Sequence, residues 1–226
     1  MSTRKDQYRS HVAKLLWLCR TRQELRFSVS ALCKFMADPG PTHWADLKRI
    51  ARYIASNIAK GLMFEGHPVP VQGYSDADWG ADPSTRRSIS GYWVTFLGCT
   101  AHSASKRQRL VAMSSFESEL IAAREAACTL VWLRRLSSEL GYNDVEPTVL
   151  LIDNQAVLTV EDSTMQSWRC RAIPLRYFAI QSYCTEGLLT LRYVSTGDNV
   201  ADIFTKQIVR TLWDKHEARL VSTLPQ

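Results

Sequence analysis

Along the first third of the chain apolar residues recur at three- and four-residue spacing, the period of a helix that turns one face to a core. Val12, Leu15 and Leu16, then Val29, Leu32, Phe35 and Met36, predict two helical stretches over residues 8–37, with a break near Thr21 to Glu24. Asp38-Pro39-Gly40-Pro41 stops the second. Thr42 is the expected cap of a third helix, on which Trp44, Leu47, Ile50, Ile54 and Ile58 form one stripe while Lys48, Arg49, Arg52 and Lys60 occupy the remainder. After Gly66-His67-Pro68 the period falls to two, and β-branched and aromatic residues take over. Strands are predicted over 71–78, 88–97 and 100–103, with turns at Asp82-Pro83 and Gly98, and strands this close in sequence imply an antiparallel meander. Ser114 or Ser115 then caps a long helix that runs to about residue 140 and ends at Gly141. A short apolar strand at 148–152, a helix from Asn154, another around 166–185, a strand at 188–194 and a final helix from about Asn199 complete the chain. The order of three strands, helix, strand, helices, strand, helix is that of an α/β domain preceded by an all-helical segment.

The chain has 226 residues, 46% hydrophobic and 22% charged, a composition that buries a core and argues against disorder. Net charge is +6 and unevenly placed: residues 1–70 hold twelve Lys/Arg against five Asp/Glu, and residues 71–226 hold sixteen against seventeen. A basic excess confined to one third fits a polyanionic partner such as nucleic acid, as it also fits solvated helix faces. No stretch approaches the ~18 apolar residues that span a bilayer, and Met1 to Asp6 lacks the apolar core of a secretory signal, so an intracellular protein without a membrane partner is expected. Cys19, Cys33, Cys99, Cys128, Cys170 and Cys184 are scattered without metal-ligand spacing and predict free thiols.

Four acids change this picture. Asp76 closes the first strand of the α/β part, Glu119 lies early in the long helix, Asp153 follows the fourth strand, and Asp202 lies near the start of the last helix. Strand ends beside helix starts are where α/β sheets place their chemistry. Four carboxylates gathered there repel by roughly 4 kcal/mol per pair at ~4 Å and an effective dielectric of ~20, so a cation is needed to hold them. Paired divalent ions do so and serve phosphodiester hydrolysis. Two neighbours compete. Glu117 and Glu119 both flank the apolar stripe of the helix and periodicity does not choose between them, while strand alternation turns Asp78 to the face of Asp76.

The motifs Gly73-Tyr74-Ser75-Asp76-Ala77-Asp78-Trp79, residues 86–92 (Arg-Arg-Ser-Ile-Ser-Gly-Tyr), residues 114–120 (Ser-Ser-Phe-Glu-Ser-Glu-Leu), Asp153-Asn154-Gln155 and residues 201–206 (Ala-Asp-Ile-Phe-Thr-Lys) occur in that order. Over about residues 70–208 the chain resembles the ribonuclease H domain of copia-type retrotransposon polyproteins. Upstream, Tyr8-Arg9-Ser10, Thr21-Arg22, Phe35-Met36, His43-Trp44 and Lys48-Arg49 to Arg52-Tyr53 resemble the end of the adjoining reverse transcriptase, without the paired aspartates of its palm, so polymerase activity is not expected of this chain alone. The resemblance implies a ribonuclease H-like mixed five-stranded sheet flanked by helices, the first three strands antiparallel and the others parallel to the first. It divides the chain into a helical reverse-transcriptase remnant at 1–66, a ribonuclease H-like domain at 67–210 and a C-terminal tail at 211–226.

Carried over by position, the resemblance makes Asp76, Glu119, Asp153 and Asp202 ligands of two magnesium or manganese ions that cleave the RNA strand of an RNA/DNA hybrid during reverse transcription. Glu119, followed by Leu120-Ile121-Ala122, matches the motif better than Glu117. Ser90, Asn154 and Gln155 are placed for contacts to the hybrid, and Arg86, Arg87, Lys106, Arg107 and Arg109 for its phosphates. Trp79 and Trp93 are either stacking platforms or core aromatics. Departures stand beside the matches: no histidine lies in 195–201 before the last aspartate, Ala172 and Pro174 replace a usual polar pair, and Ala104 stands where a tryptophan is usual. These changes admit a second reading, a catalytically inactive nucleic-acid-binding relic, and a third, another nuclease such as an integrase or resolvase on the same fold.

Overall fold

The computed structural model describes residues 3–64, 69–142, 145–161 and 175–223. Its centre is a five-stranded sheet of β2 (Gln72–Asp78), β3 (Ile89–Phe96), β4 (Cys99–Arg107), β5 (Thr148–Ile152) and β6 (Leu189–Tyr193), in the spatial order β4-β3-β2-β5-β6. β2, β3 and β4 pair antiparallel, and β5 and β6 run parallel to β2. This is the mixed sheet expected of a ribonuclease H-like domain. The register places Asp76 opposite Gly91 and Ser75 beside Ile152, so the ends of β2 and β5 lie next to each other.

The long helix α4 (Ser115–Glu139) lies across one face of the sheet. Leu120, Ala123, Ala127 and Leu130 pack there against Val71, Tyr92, Val94, Leu150, Ile152 and Leu191. The opposite face is covered by the 3-10 turn Val200–Phe204 and by α7 (Arg210–Leu220), which enclose Tyr74 and Trp93 with Val200, Ile203, Phe204 and Leu220. Between β5 and β6 run the short α5 (Gln155–Leu158) and α6 (Ala179–Thr185). Among the described residues no helix is long and apolar enough to cross a membrane, and Cys19, Cys33, Cys99, Cys128 and Cys184 are free thiols.

The N-terminal helices α1 (Arg4–Leu18), α2 (Arg26–Cys33) and α3 (Pro41–Ser56) enclose their own core of Tyr8, Val12, Val29, Leu32, Leu47 and Ile50. α2 packs on the edge strand β4, and Lys34 lies 3.6 Å from Asp82 in the β2–β3 connection. Residues 211–226, set apart in the sequence as a tail, contribute most of α7 and the strand β7 (Ser222–Thr223), which pairs antiparallel with β1 (Lys60–Gly61). The Glu217 carboxylate accepts from Tyr53 Oη at 2.7 Å and from Lys60, joining α7 to the helical segment.

Local expectations need four corrections. Pro41 occupies the first position of α3 and Gly40 is its cap, with the Gly40 amide donating to His43 Nδ1 at 2.9 Å; Thr42 lies inside the first turn. β4 is nine residues long because it pairs along the whole of β3, although Ser103 and Ser105 give it no apolar alternation. The helix from Asn154 is only four residues, and the one from Asn199 is the five-residue 3-10 turn, with α7 beginning later at Arg210. Of the helix expected at 166–185, residues 162–174 lie outside the described residues, as do Ala172 and Pro174; α6 supplies the remainder.

His216 on α7 is fully buried, and neither ring nitrogen has a hydrogen-bond partner among the described residues. Burial, with Lys215 and Arg219 adding to it, pushes its pKa down to about 4. The folded protein keeps this imidazole neutral, whereas the unfolded chain takes up a proton below about pH 6.5. Its contribution to stability is therefore complete above pH 6.5 and declines as pH falls toward 4. Urea midpoints at pH 7 and pH 5 are expected to show that decline in the wild-type protein and a smaller one in His216→Leu.

Candidate metal and nucleic-acid site

Strand alternation turns Tyr74, Asp76 and Asp78 to one face of β2, while Gly73 faces α4, where a Cβ would stand 3.0 Å from Leu130 Cδ1. Asp153 follows the last residue of β5 and so falls beside Asp76. Ser114 caps α4 by accepting from the Glu117 amide at 3.1 Å, which fixes the phase of the helix and points Glu119 inward. One ligand oxygen from each of Asp76, Glu119 and Asp153 lies within 4.8 Å of the others. Asp202 arrives from the opposite side on the 3-10 turn, anchored because Asn199 Nδ2 donates to the Ser75 carbonyl at 3.0 Å and Asn199 Oδ1 accepts from the Ala201 amide at 3.1 Å. Its Oδ1 is 3.0 Å from Lys206 Nζ, which is also 3.6 Å from Asp76 Oδ2.

The structure thus brings the four acids near one another and gives Glu117 a separate contact. Glu117 accepts from the Met113 amide at 2.7 Å and closes the start of α4. Asp78 remains half-buried at the end of β2, outside the close group of three. Asp76, Glu119 and Asp202 are almost fully buried, and Asp153 is half-buried. Burial first, then the charges of Asp76 and Asp153, pushes Glu119 up to about 9. Asp202 is raised to about 7 by burial and then by Asp76, with Lys206 opposing. Asp153 is also raised, by burial and by Asp76, while the Thr196 hydroxyl opposes the shift.

These residues fit divalent ions. Glu119 Oε2 is buried with no hydrogen-bond partner among the described residues, the donor set is all carboxylate oxygen, and one ammonium already lies between two of the acids. Ions that bind here displace the protons that burial retains on Glu119 and Asp202. Magnesium affinity measured by calorimetry is therefore expected to rise steeply between pH 6 and pH 8, with proton release that scales with buffer ionisation enthalpy. An affinity flat across that range would contradict the arrangement.

Other expected contacts are distributed unevenly. Ser90 is buried and its hydroxyl accepts from Gln108 Nε2 at 2.9 Å, which also donates to the Ser118 carbonyl at 2.9 Å. Asn154 caps α5 through the Ala156 amide at 3.0 Å, and Gln155 is exposed beside it. Arg86 is exposed, Arg87 is half-buried, and Arg107 donates to Asp82 at 2.6 Å, holding that carboxyl far below the usual range. Lys106, Arg107 and Arg109 line a cavity of about 500 Å³ with Arg124 and Tyr177. Trp93 is a core residue, whereas Trp79 is exposed, its indole donating to the Ala112 carbonyl at 2.9 Å.

Sequence reasoning overlooked Thr205, Lys206, Asn199 and Thr196. The Thr205 hydroxyl donates to Asp76 and lies 3.1 Å from the Asp202 carbonyl. The signal available was the motif at 201–206 itself, in which Lys206 stands four residues after Asp202.

No family model matches the chain. The retrovirus-related Pol polyprotein from transposon TNT 1-94 of Nicotiana tabacum is 33% identical over 211 residues, 93% of this chain and 16% of that protein. The corresponding polyprotein from transposon RE2 of Arabidopsis thaliana is 32% identical over 216 residues, 95% of this chain and 15% of that protein. The chain therefore spans about 15% of the length of these relatives. Secreted RxLR effector protein 161 of Plasmopara viticola is 44% identical over 128 residues, 56% of this chain and 90% of that protein. Among solved structures, LC11-RNase H1 in complex with an RNA/DNA hybrid aligns over 60% of this chain and 93% of its own, at 15% identity and a TM-score of 0.41.

Proposed function

We propose that this chain, which belongs to the retrovirus-related Pol polyproteins of transposons, hydrolyses the RNA strand of an RNA/DNA hybrid at the site of Asp76, Glu119, Asp153 and Asp202. The observation that carries the reading is the convergence of four carboxylates from four elements on one sheet edge, with a buried Glu119 oxygen left unpartnered among the described residues. These four acids would hold two magnesium ions, or manganese in their place, which would supply activation of a water and stabilisation of the leaving 3′ oxygen.

The chain's own residues set the geometry. Thr205 fixes one oxygen of Asp76, the Thr196 hydroxyl beside Asp153 favours the charged form of that carboxyl, and Asn199 ties the turn carrying Asp202 to β2. Lys106, Arg107 and Arg109 bind phosphates along the cavity beside α4, and Arg86 and Arg87 extend this surface around the β2–β3 connection. Asn154 and Gln155 lie immediately after Asp153 and contact the hybrid, where recognition of RNA rests on 2′-hydroxyls. Ser90 supports that surface through Gln108. Trp79, exposed three residues after Asp76 and fixed through its indole N–H, offers a face for stacking. The helices at 1–66 are the end of a reverse transcriptase whose remaining part is the natural partner, and the protein works inside the cell.

A substrate panel tests the reading. With magnesium, the RNA strand of a labelled hybrid is expected to be cut while duplex DNA and duplex RNA remain intact. Cutting of duplex DNA would assign the site to another nuclease chemistry, and hybrid binding without cutting would leave a binding relic.

A further inference from the structure

We propose that Lys206 is the resident counter-ion of this site and competes with a divalent ion for the oxygens of Asp76 and Asp202. The inference rests on the metal-site reading above and concerns the order in which the site fills. The 3-10 turn does not release the chain at Phe204. The amides of Thr205 and Lys206 both donate to the Asp202 carbonyl, at 3.1 and 3.2 Å, so the backbone stays curled and the Lys206 side chain folds back over the turn. Its Nζ reaches Asp202 Oδ1 at 3.0 Å and Asp76 Oδ2 at 3.6 Å, with 35% of the side chain exposed.

An ammonium is a compact charge with three donors and no acceptor, and between two buried carboxylates it does part of what a divalent cation would do. Two cations crowded against the same oxygens would repel, so the ammonium opposes an ion at Asp76 Oδ2 and Asp202 Oδ1. The other side of the cluster differs in its ion pairs: Lys206 faces Asp76 and Asp202, while no cation lies within ion-pair distance of Glu119 or Asp153 among the described residues, where Glu119 Oε2, like Asp202 Oδ1, has no hydrogen-bond partner. The two halves of the site therefore fill unequally. The Asp76–Glu119–Asp153 side takes an ion directly, and the Asp76–Asp202 side takes one only as Lys206 swings outward on its flexible stem. Without metal, the same lysine keeps the acids from driving the sheet edge apart.

Calorimetric titration of magnesium chloride into the wild-type protein and into Lys206→Met tests this without any cleavage assay. Competition predicts that the weaker of the two binding events tightens roughly tenfold in the variant. It also predicts that the metal-free variant melts at lower temperature and gains more from saturating magnesium. Unchanged or weaker binding in the variant overturns the proposal. Should Lys206→Met not fold, the wild-type protein still decides the matter. The Lys206 Nζ protons are expected to be sheltered from solvent exchange without metal and to exchange rapidly at saturating magnesium, and protons that remain sheltered refute displacement. Tighter binding by a variant whose wild-type parent leaves hybrid uncut would overturn the nuclease reading and leave this one standing.

Discussion

Glu119→Gln is expected to reduce metal-dependent cleavage of an RNA/DNA hybrid by ~10³-fold or more, while Glu117→Gln leaves the rate within a few-fold of wild type. The two glutamates are two residues apart on α4, but the helix sends them to different tasks. Glu119 enters the cluster with a buried oxygen that has no partner among the described residues, and Glu117 accepts from the Met113 amide. Because burial and the neighbouring aspartates push Glu119 up to about 9, the metal-free protein at pH 7 already carries it protonated, and glutamine imitates that state. Glu119→Gln should therefore fold with near wild-type stability without metal and fail to gain stability when magnesium is added. Glu117→Gln should lose about 1 kcal/mol from weakened capping of α4 yet keep the response to magnesium. Single-turnover cleavage with thermal melts, each with and without magnesium, separates the pair. Equal losses of rate in both variants would contradict the assignment.

Gly91→Ala is the second large effect. Gly91 is the β3 partner of Asp76, and a Cβ there would stand 2.6 Å from Thr205 Cγ2, 2.8 Å from Phe204 Cβ and 3.0 Å from the Ala201 carbonyl oxygen. Two of these neighbours cannot rotate away, since one is backbone and the other a Cβ. Relief must come from lifting the 3-10 turn off the sheet, at a cost of about 2–3 kcal/mol. The same shift displaces Asp202, Thr205 and Lys206 together, and misplacement by ~1 Å costs ~10²-fold in rate. Gly197→Ala, in the exposed segment before the same turn, meets nothing within 4 Å among the described residues and is the matched control, expected to stay close to wild type. Denaturation midpoints and hybrid cleavage rates check both; a Gly91→Ala protein as stable and as fast as the control would show that the turn is not seated as described.

The parts of the fold legible in the sequence are those where one local signal dominates. The period-two runs of β2 and β3, the apolar run of β5 and the Ser114 cap with the stripe of α4 place Asp76, Asp153 and the start of the long helix with little help from the rest of the chain. β4 was underestimated because Ser103 and Ser105 are small and polar, and its extension comes from pairing along β3, a long-range effect no window contains. The choice between Glu117 and Glu119 depends on the phase of α4 against the sheet, which periodicity leaves open. Lys206 and Thr205 escaped because their role exists only after the turn at 200–204 docks onto β2, where an i,i+4 spacing becomes a contact with a residue far earlier in the chain. Likewise α7 carries little apolar signal of its own, yet Leu220 packs beneath Trp93 and Glu217 accepts from Tyr53, joining both ends of the chain.

The most direct test is incubation of the purified chain with a hybrid labelled on its RNA strand, in magnesium and in manganese, beside Asp153→Asn and a chelated control. Metal-dependent shortening of the RNA that disappears in the variant, with the DNA strand intact, is the predicted result. An intact RNA strand in both metals, from a protein that is folded and binds the hybrid, would contradict the account.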